Sequence, residues 1–299
     1  MKNTTISIIM PSFNQGHFVE ETMKSIFSQE GDFFIDYIIT DGGSKDNSVE
    51  IIKKYDDLLK KNLYPIKCKG IELRWWSKKD KGQTDAMNQG FKIAKGEIVA
   101  FMSSDDCYEQ GTFQKVLNIF NSNPDVDLVY GGGYYLYEDT GVKTFFEVIP
   151  TNFNDLLLKG NNILVSSVFM KYSTLKKVNY MDESLNYAMD YDLWLKIFMT
   201  GKTVAIKDAL SIYRFHSESK AVSQADKFAK ELKKLRKRYG GYIIESATIG
   251  KIRSKIKLLE FLKKGYPKIY FFIKKIVYLI VHKFKYKKSL KNHQEISKF

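Results

Sequence analysis

The sequence predicts an α/β protein built on a mostly parallel sheet flanked by helices, with a basic helical tail at its C-terminal end. Short apolar runs alternate with helical patterns over the first 130 residues, which is typical of strand–helix units joined by right-handed crossovers. Polar clusters follow several of these runs, and residues 227–299 are rich in lysine. The chain has 299 residues, of which 44% are hydrophobic and 27% charged, and this balance excludes a chain that is disordered throughout.

The individual elements follow from the apolar periodicity in chain order. Strands are expected at residues 6–10, 37–40, 71–76, 98–102 and 128–130. Helices are expected at residues 17–29, from a cap at Asn47 to residue 59, at 83–94 and at 112–121. Residues 131–226 are less regular, with aromatic-rich strands at 134–137 and 144–148 and a helix around 191–199. Basic helices at 225–239, at 249–264 and from Pro267 onward complete the prediction.

Polar clusters follow the ends of the first four predicted strands, at 12–14, 41–43, 78–83 and 104–106. Ligands of such sheets bind beyond the carboxyl ends of the strands, so these clusters predict one site. The Gly-x-Gly-x-x-Gly fingerprint and the P-loop are both missing from the sequence, which excludes two common nucleotide motifs. Phe13 suits stacking on a base, Ser12 and Asn14 suit bonding to it, and Asp41 suits accepting from a base N–H or a ribose hydroxyl.

Four further residues have the side chains of a reaction centre. Asp105 and Asp106 are hard-oxygen ligands for Mg²⁺ or Mn²⁺ bound together with substrate phosphates, or they form an acidic helix cap. Asp190 is a candidate general base for an acceptor hydroxyl, or an N-cap. His216 is a candidate metal or phosphate ligand, or a structural histidine.

The order and spacing of six motifs resemble glycosyltransferase family 2, whose members have the GT-A nucleotide-sugar fold. The resemblance covers roughly residues 5–220. Its motifs are PSFNQG at 11–16, DGGSKDNS at 41–48, DKGQTDAMN at 80–88, SSDD at 103–106, MDYDLW at 189–194 and YRFH at 213–216.

The resemblance implies a role for each matched position. The nucleotide pocket is assigned to Pro11, Ser12, Phe13, Asn14, Asp41, Asp80, Gln83 and Asp105. The metal is assigned to Asp106, as the better ligand of the acidic pair, and to His216. The catalytic base is Asp190, with Asp192 as the competing candidate. Two positions depart from the family pattern, because Ser103 stands where an acid is common and Met189 where Glu is common.

The resemblance further implies an inverting, metal-dependent transfer that uses Mn²⁺ or Mg²⁺. The expected donor is a nucleotide sugar, most often a UDP-sugar, and the expected acceptor is a lipid-linked glycan in bacterial surface polysaccharide synthesis. Two alternatives stay open. A nucleotidyltransferase usually needs a Gly-rich, basic loop after the first strand, which is missing from this sequence. A non-catalytic membrane adaptor would be expected to have lost some of the acidic residues.

The charge of the chain, +14 overall, is concentrated in the tail. Residues 227–299 hold 22 Lys and Arg against 4 acids, whereas residues 1–226 have a net charge of −4. From Pro267 the lysines gather on one helical face opposite Ile, Leu, Val and Phe, which is typical of a helix lying in a membrane interface. A helix packed on the catalytic domain is the alternative, and nucleic acid is not an expected partner.

These patterns give two predicted regions. A catalytic domain spans residues 1–225, with a nucleotide-sugar half at 1–130 and an acceptor half at 131–225, and the tail spans 226–299. The two cysteines, Cys68 and Cys107, provide no disulfide framework. We therefore expect a cytoplasmic protein bound peripherally to the anionic inner face of the cell membrane.

Overall fold

The computed structural model describes residues 4–217, 219 and 225–240. The chain divides into two compact units, Met1–Tyr242 and Ile243–Phe299, and all described residues belong to the first. The predicted helices at 249–264 and from Pro267 onward lie outside the described residues. Within the described residues, no helix has the length and apolar character needed to cross a membrane.

Nine strands and eight α-helices form the described part of the chain. The strands are β1 Thr5–Ser12, β2 Glu30–Asp41, β3 Lys67–Ser77, β4 Ile98–Phe101, β5 Cys107–Tyr108, β6 Leu128–Tyr137, β7 Val142–Phe146, β8 Val168–Lys171 and β9 Thr203–Phe215. The helices are α1 Val19–Phe27, α2 Ser48–Lys60, α3 Gln83–Lys92, α4 Thr112–Ser122, α5 Phe153–Lys159, α6 Tyr172–Lys177, α7 Met189–Thr200 and α8 Ala225–Arg238. A single 3-10 turn, Val165–Ser167, precedes β8.

One sheet runs through this unit in the order β3-β2-β1-β4-β8-β6-β9-β5, with β7 paired to β6. The first four strands are parallel, as predicted from the repeated strand–helix units. The second half is mixed, because β8 is antiparallel to both β4 and β6 whereas β9 runs parallel to β6. The α/β class with helices on the sheet is thus confirmed.

The central strand β1 is apolar along its length because it is covered on both faces. Ile6, Ile8 and Met10 pack into one core with α1, α2 and α4, whereas Ile9 packs into the other with α3 and α7. Such burial on both faces gives parallel strands a continuous apolar run in place of an alternating one. In α7, the predicted core side chains are buried, including Trp194.

The parallel strands end in register, and this alignment creates the site. Ser12 pairs with Asp41, and Asp41 pairs with Ser77 on the next strand. The polar residues that follow β1, β2 and β3 therefore lie side by side at one edge of the sheet, as the sequence predicts.

Helix α8, the first predicted helix of the tail, packs on the catalytic unit. Leu235 is fully buried, and Arg238 Nη1 lies 2.8 Å from Asp182 Oδ2. The Tyr239 hydroxyl donates to Asp192 Oδ1 at 2.8 Å. The compact unit thus extends beyond the predicted boundary at residue 225, because this helix covers apolar surface of the catalytic unit.

Candidate active site

A cavity of about 1250 Å³ lies beyond the carboxyl ends of the parallel strands and is lined from both halves of the chain. Seven of the predicted site residues line it: Pro11, Ser12, Phe13, Asp80, Gln83, Asp105 and Asp190. Four do not contribute to its lining: Asn14, Asp41, Asp106 and His216. The structure therefore brings residues of all six motifs to one space and places these four residues behind or beside its wall.

Asp41 shapes the loop that forms one wall of the cavity. Its Oδ2 accepts the backbone N–H groups of Gly43 and Ser44 at 3.0 and 2.9 Å and the Ser77 hydroxyl at 2.6 Å. Its Oδ1 accepts the Ser44 hydroxyl, which in turn accepts the backbone N–H of Asn14 at 2.8 Å. Both carboxylate oxygens thus accept hydrogen bonds from the protein, so Asp41 orders this loop, and its contact with the base stays a prediction.

Phe13 and Asp80 flank a glycine at the mouth of the cavity. The Phe13 side chain is 58% exposed, as suits a surface on which a base stacks. Asp80 Oδ1 accepts the backbone N–H of Gly82 at 2.8 Å, at the residue before Gln83 begins α3. A Cβ atom at Gly42 would lie 2.9 Å from Asp80 Oδ2 and 3.2 Å from the Phe13 ring, so only glycine leaves both side chains where they are.

The side chains of the two adjacent acids after β4, Asp105 and Asp106, lie in different environments. Asp105 lines the cavity, whereas Asp106 is 1% exposed and its Oδ1 accepts the backbone N–H of Arg214 at 2.9 Å. Burial, and then the neighbouring charge of Asp105, raises the pKa of Asp106 well above its usual value, which favours the neutral acid. Asp106 was the preferred metal ligand from the sequence, but the geometry presents Asp105 to the cavity instead.

Arg214 and His216 attach the end of β9 to the same corner. Arg214 Nε donates to the backbone carbonyl of Asp105 at 2.9 Å, and its guanidinium also pairs with Glu138 and Glu21. His216 Nε2 lies 2.9 Å from Asp105 Oδ2. A carboxylate suits Mg²⁺ or Mn²⁺ and an imidazole is a common metal ligand, so this pair fits part of a metal site. Among the described residues, no group of three or more such side chains is placed to hold an ion, so substrate phosphates would supply further ligands.

Asp190 lies in the first turn of α7 and lines the cavity. Burial raises its pKa to about 6, although the backbone N–H groups of Tyr191 and of Asp190 itself oppose the shift. A carboxylate with a pKa near neutrality is suited to accept a proton. Tyr213 also lines the cavity, and burial, followed by the charges of Asp106, Asp105 and Asp190, raises its pKa.

Asp192, the competing candidate for the base, faces away from the cavity. It is fully buried, and its Oδ1 accepts from Tyr239 at 2.8 Å and from Arg238 at 3.2 Å. Its Oδ2 lies 2.8 Å from Lys196 Nζ. Asp192 therefore attaches α8 to α7, which leaves Asp190 as the acid of this motif that reaches the cavity.

Comparison with known families agrees with this arrangement of fold and site. The sequence model described as glycosyl transferase family 2 matches residues 7–174, more than half of the chain. This chain belongs to glycosyl transferase family 2. Relatives in the family include an uncharacterized glycosyltransferase of Rickettsia conorii, 29% identical over 74% of this chain and 36% of its own length. The chain thus spans about a third of that relative.

A second relative, the minor teichoic acid biosynthesis protein GgaB of Bacillus subtilis, is 27% identical over 98% of this chain and 30% of its own length. Solved structures share the fold of this family 2 chain. S. aureus TarS in complex with UDP-GlcNAc has a TM-score of 0.59 at 18% identity, over 78% of this chain and 65% of that one. The mannosyltransferase PcManGT of Pyrobaculum calidifontis, in complex with GDP-Man and Mn²⁺, has a TM-score of 0.53 at 14% identity, over 78% of this chain and 65% of that one. These likenesses confirm the GT-A fold.

Sequence reasoning assigned no role to Glu231, which contacts the loop before Asp190. A signal was present, because Glu231 is the one acid among seven Lys and Arg in residues 227–240.

The assembled site of this family 2 chain has a polar, loop-lined side at the strand ends and a carboxylate of raised pKa at α7. Such an arrangement is suited to bind an anionic donor on one side and to accept a proton on the other.

Proposed function

We propose that this chain transfers a sugar from a UDP-sugar to an acceptor hydroxyl with inversion at the anomeric carbon. One observation carries the proposal: the strand-end motifs and Asp190, with its pKa of about 6, line the same cavity. TarS, which shares this fold, is solved in complex with UDP-GlcNAc and with UDP. These complexes support a uridine nucleotide as the donor for this chain too.

The proposed reaction is a single displacement. The acceptor oxygen attacks the anomeric carbon as the bond from that carbon to the diphosphate oxygen breaks, and the acceptor proton moves to Asp190. Phe13 would stack on the base, while the loop ordered by Asp41 would hold the nucleotide. Asp105 and His216 would hold Mn²⁺ or Mg²⁺, which when bound supplies positive charge to the leaving diphosphate.

Two features of the relatives support a polymer acceptor. GgaB is a teichoic acid biosynthesis protein, and its similarity extends over 98% of this chain. We therefore propose a lipid-linked surface glycan as the acceptor class and the inner face of the membrane as the place of reaction.

A nucleotidyltransferase is disfavoured by membership of family 2. An inert adaptor is disfavoured because the cavity retains Asp80, Asp105 and Asp190.

The test is a donor screen that measures release of nucleoside diphosphate with Mn²⁺ or Mg²⁺, across UDP-sugars and GDP-mannose. We expect one UDP-sugar to be turned over, and Asp190→Asn to lower its turnover by about 10²- to 10⁴-fold with donor affinity unchanged. Asp192→Asn is the matched control, because it removes an acid from the same helix without removing the proposed base. Full activity of Asp190→Asn would contradict the assignment, and release from GDP-mannose alone would contradict the uridine donor.

A further inference from the structure

The helix that contains Asp190, α7, has no side-chain cap from its N-cap residue. The first N–H groups of any helix have no acceptor within the helix. At α7 the N-cap residue is Ala188, whose side chain cannot accept a hydrogen bond. Of these first groups, the N–H of Ala188, like those of the two residues before it, has its acceptor on another helix.

Glu231, on α8, supplies that acceptor. Its carboxylate accepts three consecutive backbone N–H groups, those of Asn186 at 3.0 Å, Tyr187 at 2.8 Å and Ala188 at 2.9 Å. Successive N–H groups that converge in this way form a concave site for an anion. The acid thus has a structural reason to stand among the lysines of α8.

We propose that Glu231 is a positioning residue for the transfer, because it fixes segment 186–188 and thereby aims Asp190 into the cavity. The proposal rests on the proposed function of Asp190 as the base. Asp190 lies two residues beyond the last N–H that Glu231 binds, within the first turn of the same helix. A shift of this segment moves the carboxylate with it, and small displacements of a catalytic group lower the rate steeply.

The same segment is held from the other side of the cavity by α3. Thr84 Oγ1 donates to the backbone carbonyl of Leu185 at 2.7 Å, and Asn88 Nδ2 donates to that of Met181 at 3.0 Å. On the α8 side, Arg238 holds Asp182 and Glu231 holds residues 186–188 of a loop that α3 also fixes. Phe228, on the same helix as Glu231, lines the cavity itself, so α8 forms part of the active-site wall.

The test compares kcat and donor KM in UDP release from the donor that the screen selects, with water as the acceptor. We expect Glu231→Ala to lower kcat by about tenfold or more with donor KM within about twofold, the pattern of an interaction that matters in the transition state. Glu231→Gln keeps an oxygen that accepts from the same N–H groups, so it should retain several times the kcat of Glu231→Ala. Lys234→Ala, an exposed position on the same helix, should match the wild type.

Two further variants make the outcome decisive. Arg238→Ala removes another attachment of α8 and leaves the Glu231 contacts in place, so it should keep a higher kcat than Glu231→Ala. A wild-type kcat in both Glu231 variants, a change confined to KM, or an equal loss in Arg238→Ala would each overturn the proposal. Asp190→Asn, run in parallel, separates the two hypotheses, because a fully active Asp190→Asn refutes the base itself, whatever Glu231 does.

Discussion

The buried environment of Asp190 disfavours the ionised form of its carboxyl group. Burial raises its pKa to about 6, whereas an aspartate in an unfolded chain titrates at about 3.9. The folded state therefore binds this proton more tightly than the unfolded state, so the free energy of unfolding falls as the pH rises from about 4 to about 6 and stays lower above that range. The proposed base has to be ionised to accept a proton, so activity requires the less stable form of the protein.

This conflict predicts that the inactive variant is the more stable one. We expect Asp190→Asn to raise the free energy of unfolding by about 1–3 kcal/mol at pH 8, where the wild-type carboxylate is charged. Near pH 4 the folded wild type is already protonated, so most of the gain should disappear. Urea unfolding at the two pH values measures the difference. A variant that is less stable at pH 8 would contradict this prediction, because Asn can cap a helix as Asp does and only the charge is lost.

The two acids that follow β4 are proposed to have different roles, Asp105 as a metal ligand and Asp106 as a buried acid. Asp105 lines the cavity beside His216, whereas Asp106 is buried with a raised pKa. We expect Asp105→Asn to raise the Mn²⁺ concentration for half-maximal UDP release by about tenfold or more, since a neutral amide is a weaker ligand for a hard cation. Asp106→Asn keeps an oxygen for the Arg214 N–H and is the matched control. The reverse ranking would restore Asp106 as the ligand.

The sequence predicts this acidic pair, but it does not predict which of the two acids faces the cavity. Neighbouring residues at the end of a strand point to opposite sides, and which side faces the cavity depends on β9. The backbone N–H of Arg214, on β9, is the group that draws Asp106 inward. A contact between residues more than a hundred positions apart leaves no local signal.

At the scale of elements, the parallel half of the sheet was predictable because each strand has its own apolar run and its own polar end. The predicted strands at 6–10, 37–40, 71–76 and 98–102 are all found, with shifted ends. In the second half, β5, β8 and β9 were not predicted. β5 has two residues, and β9 is interrupted by register shifts against β6. Pairing with distant strands, which local periodicity does not record, defines these elements.

The turn after β2 gives a prediction for the donor wall. Gly42→Ala would place a Cβ atom within 3.2 Å of Asp80 and the Phe13 ring, so one of them must move. We expect the KM for the donor to rise by about tenfold with kcat less affected, because binding is lost equally in ground and transition states. Gly70→Ala, which places a Cβ 3.0 Å from Phe34 away from the cavity, is the matched control. Unchanged donor affinity in Gly42→Ala would contradict this role of the turn.

At the scale of the whole molecule, a division at the end of α8 separates the charge less sharply than the predicted boundary does, with +2 for residues 1–240 and +12 for residues 241–299. Residues 1–240 hold 33 Lys and Arg against 31 acids, and residues 241–299 hold 15 against 3. Helix α8 is basic, yet Leu235 and Glu231 attach it to the catalytic unit. The segment proposed to bind membrane is therefore the one after α8, and a deletion that tests it should spare residues 225–240.

We expect the full chain to float with vesicles that contain anionic lipid and a chain ending at Gly240 to stay in solution. Each Lys or Arg near such a surface contributes about 1 kcal/mol, so added salt should weaken the binding of the full chain. Neutral vesicles are the control for lipid charge, and UDP release by the shortened chain is the control for folding. If both chains float equally, the membrane contact lies in the catalytic unit. If neither floats, the excess charge of residues 241–299 serves another anionic partner, and the acceptor has to reach the cavity without this anchor.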